Sequence, residues 1–108
     1  MKKQNKYRNI PTIIDGIKFA SKKEAQRYKD LILMQKAGIV KSIELQKPYD
    51  LNDYAETKRE QVKYICDFFV KWKDGRETVE DTKGYRTQTY KLKKKFFETR
   101  YRIKITEI

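Results

Sequence analysis

Residues 61–84, QVKYICDFFVKWKDGRETVEDTKG, decide the fold. A β-prone run from Val62 to Trp72 leads into Lys73-Asp74-Gly75, and a second run ends in Asp81-Thr82-Lys83. An Asp-Gly turn signal between two such runs predicts a hairpin. Val62, Tyr64, Ile65, Cys66, Phe68, Phe69, Val70 and Trp72 make the first run apolar on both faces, so the strand is expected near the middle of a covered sheet. Asp67 interrupts it. A carboxylate in such a strand is costly unless something pairs with it.

The turn sets the register. A two-residue turn, Asp74-Gly75, places Asp67 opposite Thr82 and sends Asp81 to the other face. A three-residue turn pairs Trp72 with Arg76, sets Asp67 opposite Asp81 and Ile65 opposite Lys83, and puts Gly75 at the left-handed third position. Only the second register gathers two acids and a lysine on one face. Facing carboxylates repel, so it requires a cation between them. We take this register because it gives Asp67 a purpose.

The 108 residues are expected to form a single domain, 1–108, with residues 1–9 as a basic arm. One cysteine excludes an internal disulfide and fits a reducing compartment such as the cytoplasm. The absence of histidine excludes a histidine-based triad, an HNH-type site and a His-ligated metal, and the single cysteine excludes a zinc ribbon. No apolar run reaches membrane-spanning length, and the basic start is not followed by the apolar core of a secretory signal. Lys and Arg outnumber Asp and Glu by 27 to 15, a net charge of +12. Nine of the basic residues fall between Lys83 and Lys104, against Glu98 alone. Nucleic acid is the partner this favours, ahead of an anionic membrane surface; a solvated lysine-rich face is the plainer reading.

In chain order, Asp15-Gly16 between short apolar pairs predicts a small hairpin. Ser21-Lys22-Lys23-Glu24 has the capping-box pattern, and a helix should run to about Ala37, stopped by Gly38, with Ala25, Tyr28, Leu31 and Ile32 inward. Ile39 to Leu51 reads as a strand with an edge or break at Pro48, and Asn52 to Glu60 as a polar loop. Thr87 should cap a second helix running to about Tyr101, with Tyr90, Leu92, Phe96, Phe97 and Tyr101 buried and Lys91, Lys94 and Lys95 exposed. Ile103 and Ile105 belong to a last strand. The expected fold is a mixed α/β sheet: an antiparallel three-strand meander, then a right-handed helical crossover that sets the final strand parallel beside the third.

Asp67 followed by Asp81-Thr82-Lys83 on adjacent strands resembles the PD-(D/E)XK nuclease superfamily. The order helix, three strands, helix, strand is also that of its restriction-endonuclease-like core. The chain more closely resembles a family of small phage and prophage proteins placed in that superfamily, through DGIKFASKKEAQRY, ELQKPYDL, KYICDFF and VEDTKGYRTQTYKLKKK, which span most of residues 12–108. Cys66 stands where the superfamily's name has proline, and Asp81 where glutamate is more usual. The resemblance implies a metal-dependent DNA endonuclease in the cytoplasm of a bacterial host, acting on branched DNA such as Holliday junctions. It also implies a metal-site role for Glu24 on the first helix.

The residue types suit that chemistry. Mg²⁺, or Mn²⁺, is held by one or two carboxylates plus phosphate oxygens; Asp67 and Asp81 would supply them, with Glu24 and the Thr82 carbonyl. Lys83 would orient water or stabilise charge on the phosphoryl oxygens. Thr87, Tyr90, Lys91, Lys94 and Lys95 are candidates for nucleic-acid contacts. Each residue also has a plainer reading: Glu24 as a capping-box member, Asp81 and Lys83 as a surface ion pair, Asp67 as a strand end or bulge. The alternatives to an enzyme are a non-catalytic nucleic-acid-binding protein and a phage structural or regulatory protein. Two symmetric nicks in a junction imply a homodimer, built on Ile13, Ile14, Ile17 and Phe19 or on a sheet edge.

Overall fold

Asp15 and Gly16 join strand β1 (Thr12–Ile14) to β2 (Ile17–Phe19) with φ of 52° and 76°. Both residues of such a tight turn need positive φ, which Asp-Gly supplies at low cost. The structure, a computed structural model, describes residues 11–52, 61–82 and 86–108. The basic arm, Lys83 and all but Asn52 of the expected polar loop lie outside them.

Helix α1 (Lys22–Lys36) begins at Ser21, whose hydroxyl accepts from the Glu24 N–H at 3.2 Å. It ends before Gly38, where φ is +80°. Ala25, Tyr28 and Leu31 are buried on its inner side. The hairpin lies against this helix: Phe19 packs on Tyr28 with ring centroids 5.0 Å apart, and Ile14 and Ile17 join the same cluster. Of the apolar residues offered as an interface, only Ile13 is largely exposed.

The main sheet has the order β3 (Val40–Leu45), β6 (Phe68–Trp72), β7 (Glu77–Asp81), β8 (Ile105–Glu107). The first three run antiparallel and β8 runs parallel to β7. Helix α2 (Gln88–Tyr101) supplies the crossover, and Thr87 caps it by accepting from the Tyr90 N–H at 3.0 Å. The β6–β7 turn has three residues: Trp72 N–H donates to the Arg76 carbonyl at 2.9 Å, and Gly75 has φ +94°. Phe68 therefore faces Glu80, Phe69 faces Val79, and Val70 faces Thr78.

Alternation divides the core between the two sheet faces. Phe68 and Val70 join Leu31, Val40 and Phe19 beneath α1. Phe69 and Val79 join Phe97, Tyr90 and Ile105 beneath α2. Strand β6 is thus covered on both sides, as its composition requires.

Two expectations need correction. Val62 to Trp72 is not one strand, because β5 (Lys63–Ile65) separates from β6 at Cys66-Asp67 and pairs instead with β4 (Pro48–Asp50). Val62 and Ile65 are consequently exposed. The Ile39–Leu51 strand breaks at the same level, at Gln46-Lys47, where Gln46 takes a left-handed φ of 54°. In α2, Leu92 and Phe96 are also exposed, at 55% and 52%. One flank of a helix can meet the sheet, and Tyr90 and Phe97 already fill it.

Candidate active site

The paired kinks build the site. Gln46 N–H donates to the Asp67 carbonyl and Cys66 N–H to the Lys47 carbonyl, each at 3.1 Å, so the two broken strands stay joined across the bend. Asp67 N–H donates to the Glu80 carbonyl at 3.1 Å, although Phe68 is the ladder partner of Glu80. Two residues thus face one, so Asp67 does not stand opposite Asp81 as the turn register had it, and Ile65, expected opposite Lys83, pairs with Pro48 instead. The bulge re-aims the Asp67 side chain at the end of the sheet. Asp67 thus marks a bulge at the start of β6, as its plainer reading had it.

Asp67 Oδ2 accepts from both the Thr82 N–H and the Thr82 hydroxyl, each at 2.8 Å. Thr82 therefore fixes the carboxylate through donors, a contribution additional to the carbonyl expected of it. Gln46 was not foreseen. Its amide nitrogen donates to Glu24 Oε1 at 3.2 Å and lies 3.5 Å from Asp67 Oδ1, linking α1 to the kink. The only trace in the sequence is a polar residue just before the Lys47-Pro48 break.

Glu24 both closes the start of α1 and faces the kink. Its Oε2 accepts from the Ala20 N–H at 3.2 Å, while Oε1 faces Gln46. Burial, and then the negative charge of Asp67, push its carboxyl up to about 7, with Asp81 adding to the effect. Asp81 is fully buried, and its Oδ2 accepts from the Tyr64 hydroxyl at 2.6 Å. Burial, then that hydrogen bond, hold the Tyr64 phenol far above its ordinary range. Cys66, between these groups, is buried and its thiol is pushed up to about 11, which makes it a poor nucleophile at neutral pH. A cavity of about 240 Å³ opens beside Glu24 and Gln46, with Lys18 at its wall.

Glu24 on α1 thus feels the charge of both Asp67 at the β5–β6 kink and Asp81 on β7. Among the described residues, no group of three or more His, Cys, Asp or Glu side chains is disposed to hold a metal ion. Carboxylate oxygens are nonetheless the donors a hard divalent cation prefers, and Mg²⁺ needs only one or two from protein, with water and phosphate completing its shell. The donor chemistry fits; Glu24 and Asp67, bridged by Gln46, are the nearest pair.

The remaining candidates separate. Lys91, Lys94 and Lys95 line one open groove with Lys104, but Lys94 is half-buried and bonds to Glu107 at 3.0 Å. Thr87 is occupied as the helix cap. Tyr90 is buried and donates to Glu107 at 3.2 Å. The buried pair Arg27–Glu80, with contacts of 2.7 and 2.6 Å, was also missed in the sequence; nothing local connects its partners.

Fold and site together define a mixed α/β protein with a buried acidic centre at one end of its sheet. The chain belongs to the family described as "Protein of unknown function (DUF1064)", whose model matches residues 4–108. No curated protein and no solved structure matches it.

Proposed function

We propose that the protein is a metal-dependent DNA endonuclease of the PD-(D/E)XK type, hydrolysing phosphodiester bonds in branched DNA such as Holliday junctions. One observation supports this reading: the buried Glu24 of α1 feels the negative charge of both Asp67, at a strand bulge, and Asp81, on the next strand. Asp67, Asp81 and Glu24 would hold Mg²⁺ or Mn²⁺. Such an ion, when bound, polarises the scissile phosphate and lowers the pKa of water. Thr82 locks the Asp67 carboxylate with two hydrogen bonds, and Gln46 ties Glu24 toward it. Lys83, two residues beyond Asp81, would stabilise charge growing on the phosphoryl oxygens. The basic α2 surface would draw in the polyanion.

A second reading, nucleic-acid binding without cleavage, is favoured by the lack of a ready three-acid group among the described residues. Incubation of labelled linear, flap and four-way-junction DNA with Mg²⁺, with Mn²⁺ and with EDTA separates the two. The nuclease reading expects metal-dependent nicks, with the junction or flap cut fastest. Intact DNA under every condition, with binding retained, leaves the binding reading. Light scattering with and without junction DNA tests the homodimer that symmetric nicking requires.

A further inference from the structure

Strand β5 and the first turns of α2 enclose a second cavity, of about 280 Å³, apart from the one beside Glu24. Lys63, Ile65, Thr87, Thr89 and Lys93 line it, and no acid does so among the described residues. Lys63 has only a loose pairing with Asp50, at 3.9 Å between two exposed side chains. Lys93 makes no ion pair among the described residues. Two ammonium groups and hydroxyls about such a space suit a phosphate.

Helical spacing carries the same flank of α2 onward. Thr89, Lys93 and Phe96, with Leu92 beside them, lie at steps of three and four residues. Leu92 and Phe96 are therefore an apolar pair on α2 flanking the cavity residue Lys93, both more than half exposed. Charge indicates what covers them. Helix α2 carries Lys91, Lys93, Lys94, Lys95 and Arg100, while its lone acid, Glu98, is engaged with the Ile105 N–H at 2.8 Å. A second copy packed on this face would set like charges together, whereas a polyanion would complement them. Intact duplex offers phosphates but keeps its bases stacked. Unpaired nucleotides offer a phosphate and an open base face at once, and apolar or aromatic side chains stack on such faces without regard to sequence.

We propose that the cavity and the Leu92–Phe96 pair form a track for unpaired nucleotides, so that the protein prefers DNA with a single-stranded segment to intact duplex. This deepens, and rests on, the nucleic-acid part of the reading above. The test is fluorescence anisotropy in EDTA with labelled oligo-dT of about 20 nucleotides and a duplex of equal length. The single strand should bind about tenfold more tightly. Leu92→Ser combined with Phe96→Ser, at exposed positions and verified by circular dichroism, should remove that preference while changing duplex affinity less than about twofold. Lys63→Ala with Lys93→Ala should weaken single-strand binding and flatten its log–log salt slope by about 1.4. Equal affinity for the two DNAs, or a serine variant that keeps the preference, overturns the track. Light scattering that shows a dimer dispersed by the serine pair also overturns it, giving the face to a second copy. No cleavage is read, so an inactive protein that keeps the preference sinks only the nuclease reading, and an active nuclease without the preference sinks only the track.

Discussion

Glu80 and Asp81 are neighbours in one strand and both are buried, yet they meet opposite surroundings. Alternation turns Glu80 toward α1, where Arg27 grips both its oxygens. Asp81 turns toward α2, accepts from Tyr64, and adds its negative field to that of Asp67 upon Glu24. A buried acid closed by its own arginine is spent on the fold. Acids whose charges bear on one another are what the proposed metal site would use. The same residue chemistry thus gives structure on one face of the sheet and a candidate site at its end.

Substitutions can break this comparison from either side. The largest effect is expected from Asp67→Asn or Asp81→Asn: on the proposed reading, cleavage should fall about a thousandfold or more, with DNA affinity unchanged or raised because negative charge leaves the proposed metal site. Gel cleavage paired with anisotropy reads both, and an Asn variant that cuts like wild type removes its acid from the site. On the other side of the strand, Arg27→Met strands Glu80 without its cation and should cost about 3 kcal/mol in urea unfolding. Arg27→Met with Glu80→Leu should regain most of that. A single variant as stable as wild type would mean that the pair is not a structural closure.

Protons should report on the acidic centre. The native protein keeps a proton on Glu24 up to about pH 7, whereas the unfolded chain releases it near its ordinary value of 4.5. In EDTA the native state therefore binds more protons across that window, and stability falls as pH rises from about 4.5 to about 7. Glu24→Gln should flatten that slope in denaturant titrations. At pH 7.5, Mg²⁺ should raise the Tm of wild type but not of Asp67→Asn; an equal rise in both would place the ion elsewhere. The smallest stability change belongs to Gln46→Gly. Glycine accepts the φ of 54° without strain but loses the amide bridge, so stability should move by less than about 1 kcal/mol while cleavage drops about tenfold. Unchanged cleavage would make Gln46 a kink residue and nothing more.

Much of the fold was legible because its signals are local. Asp15-Gly16, Ser21, Gly38, Gly75 and Thr87 each act within a few residues of chain, and each is used as its chemistry suggests. The exposure of Leu92 and Phe96 was not legible: α2 has more apolar surface than one sheet face can cover, and composition does not say which flank turns inward. The kink was half legible. Asp67 was visibly out of place and Pro48 announced a break, but no pattern within either strand says that the two breaks face each other.

Turn and cap residues were thus enough for the two helices, the first hairpin and, once a three-residue turn was preferred to a two-residue one, the pairing of β6 with β7, but not for the separation of β5 from β6. The bulge at Asp67 ends the ladder at Phe68 and Glu80, so it does not carry that register as far as Asp67 and Asp81. Tertiary structure alone decided what surrounds them: that Glu24 arrives from α1, that Gln46 bridges it toward Asp67, and that Arg27 neutralises Glu80 and leaves Asp81 to the centre. Those contacts depend on how far a helix slides along a sheet and where two strands bend together. Packing of the whole core fixes both, and no short stretch of chain encodes either.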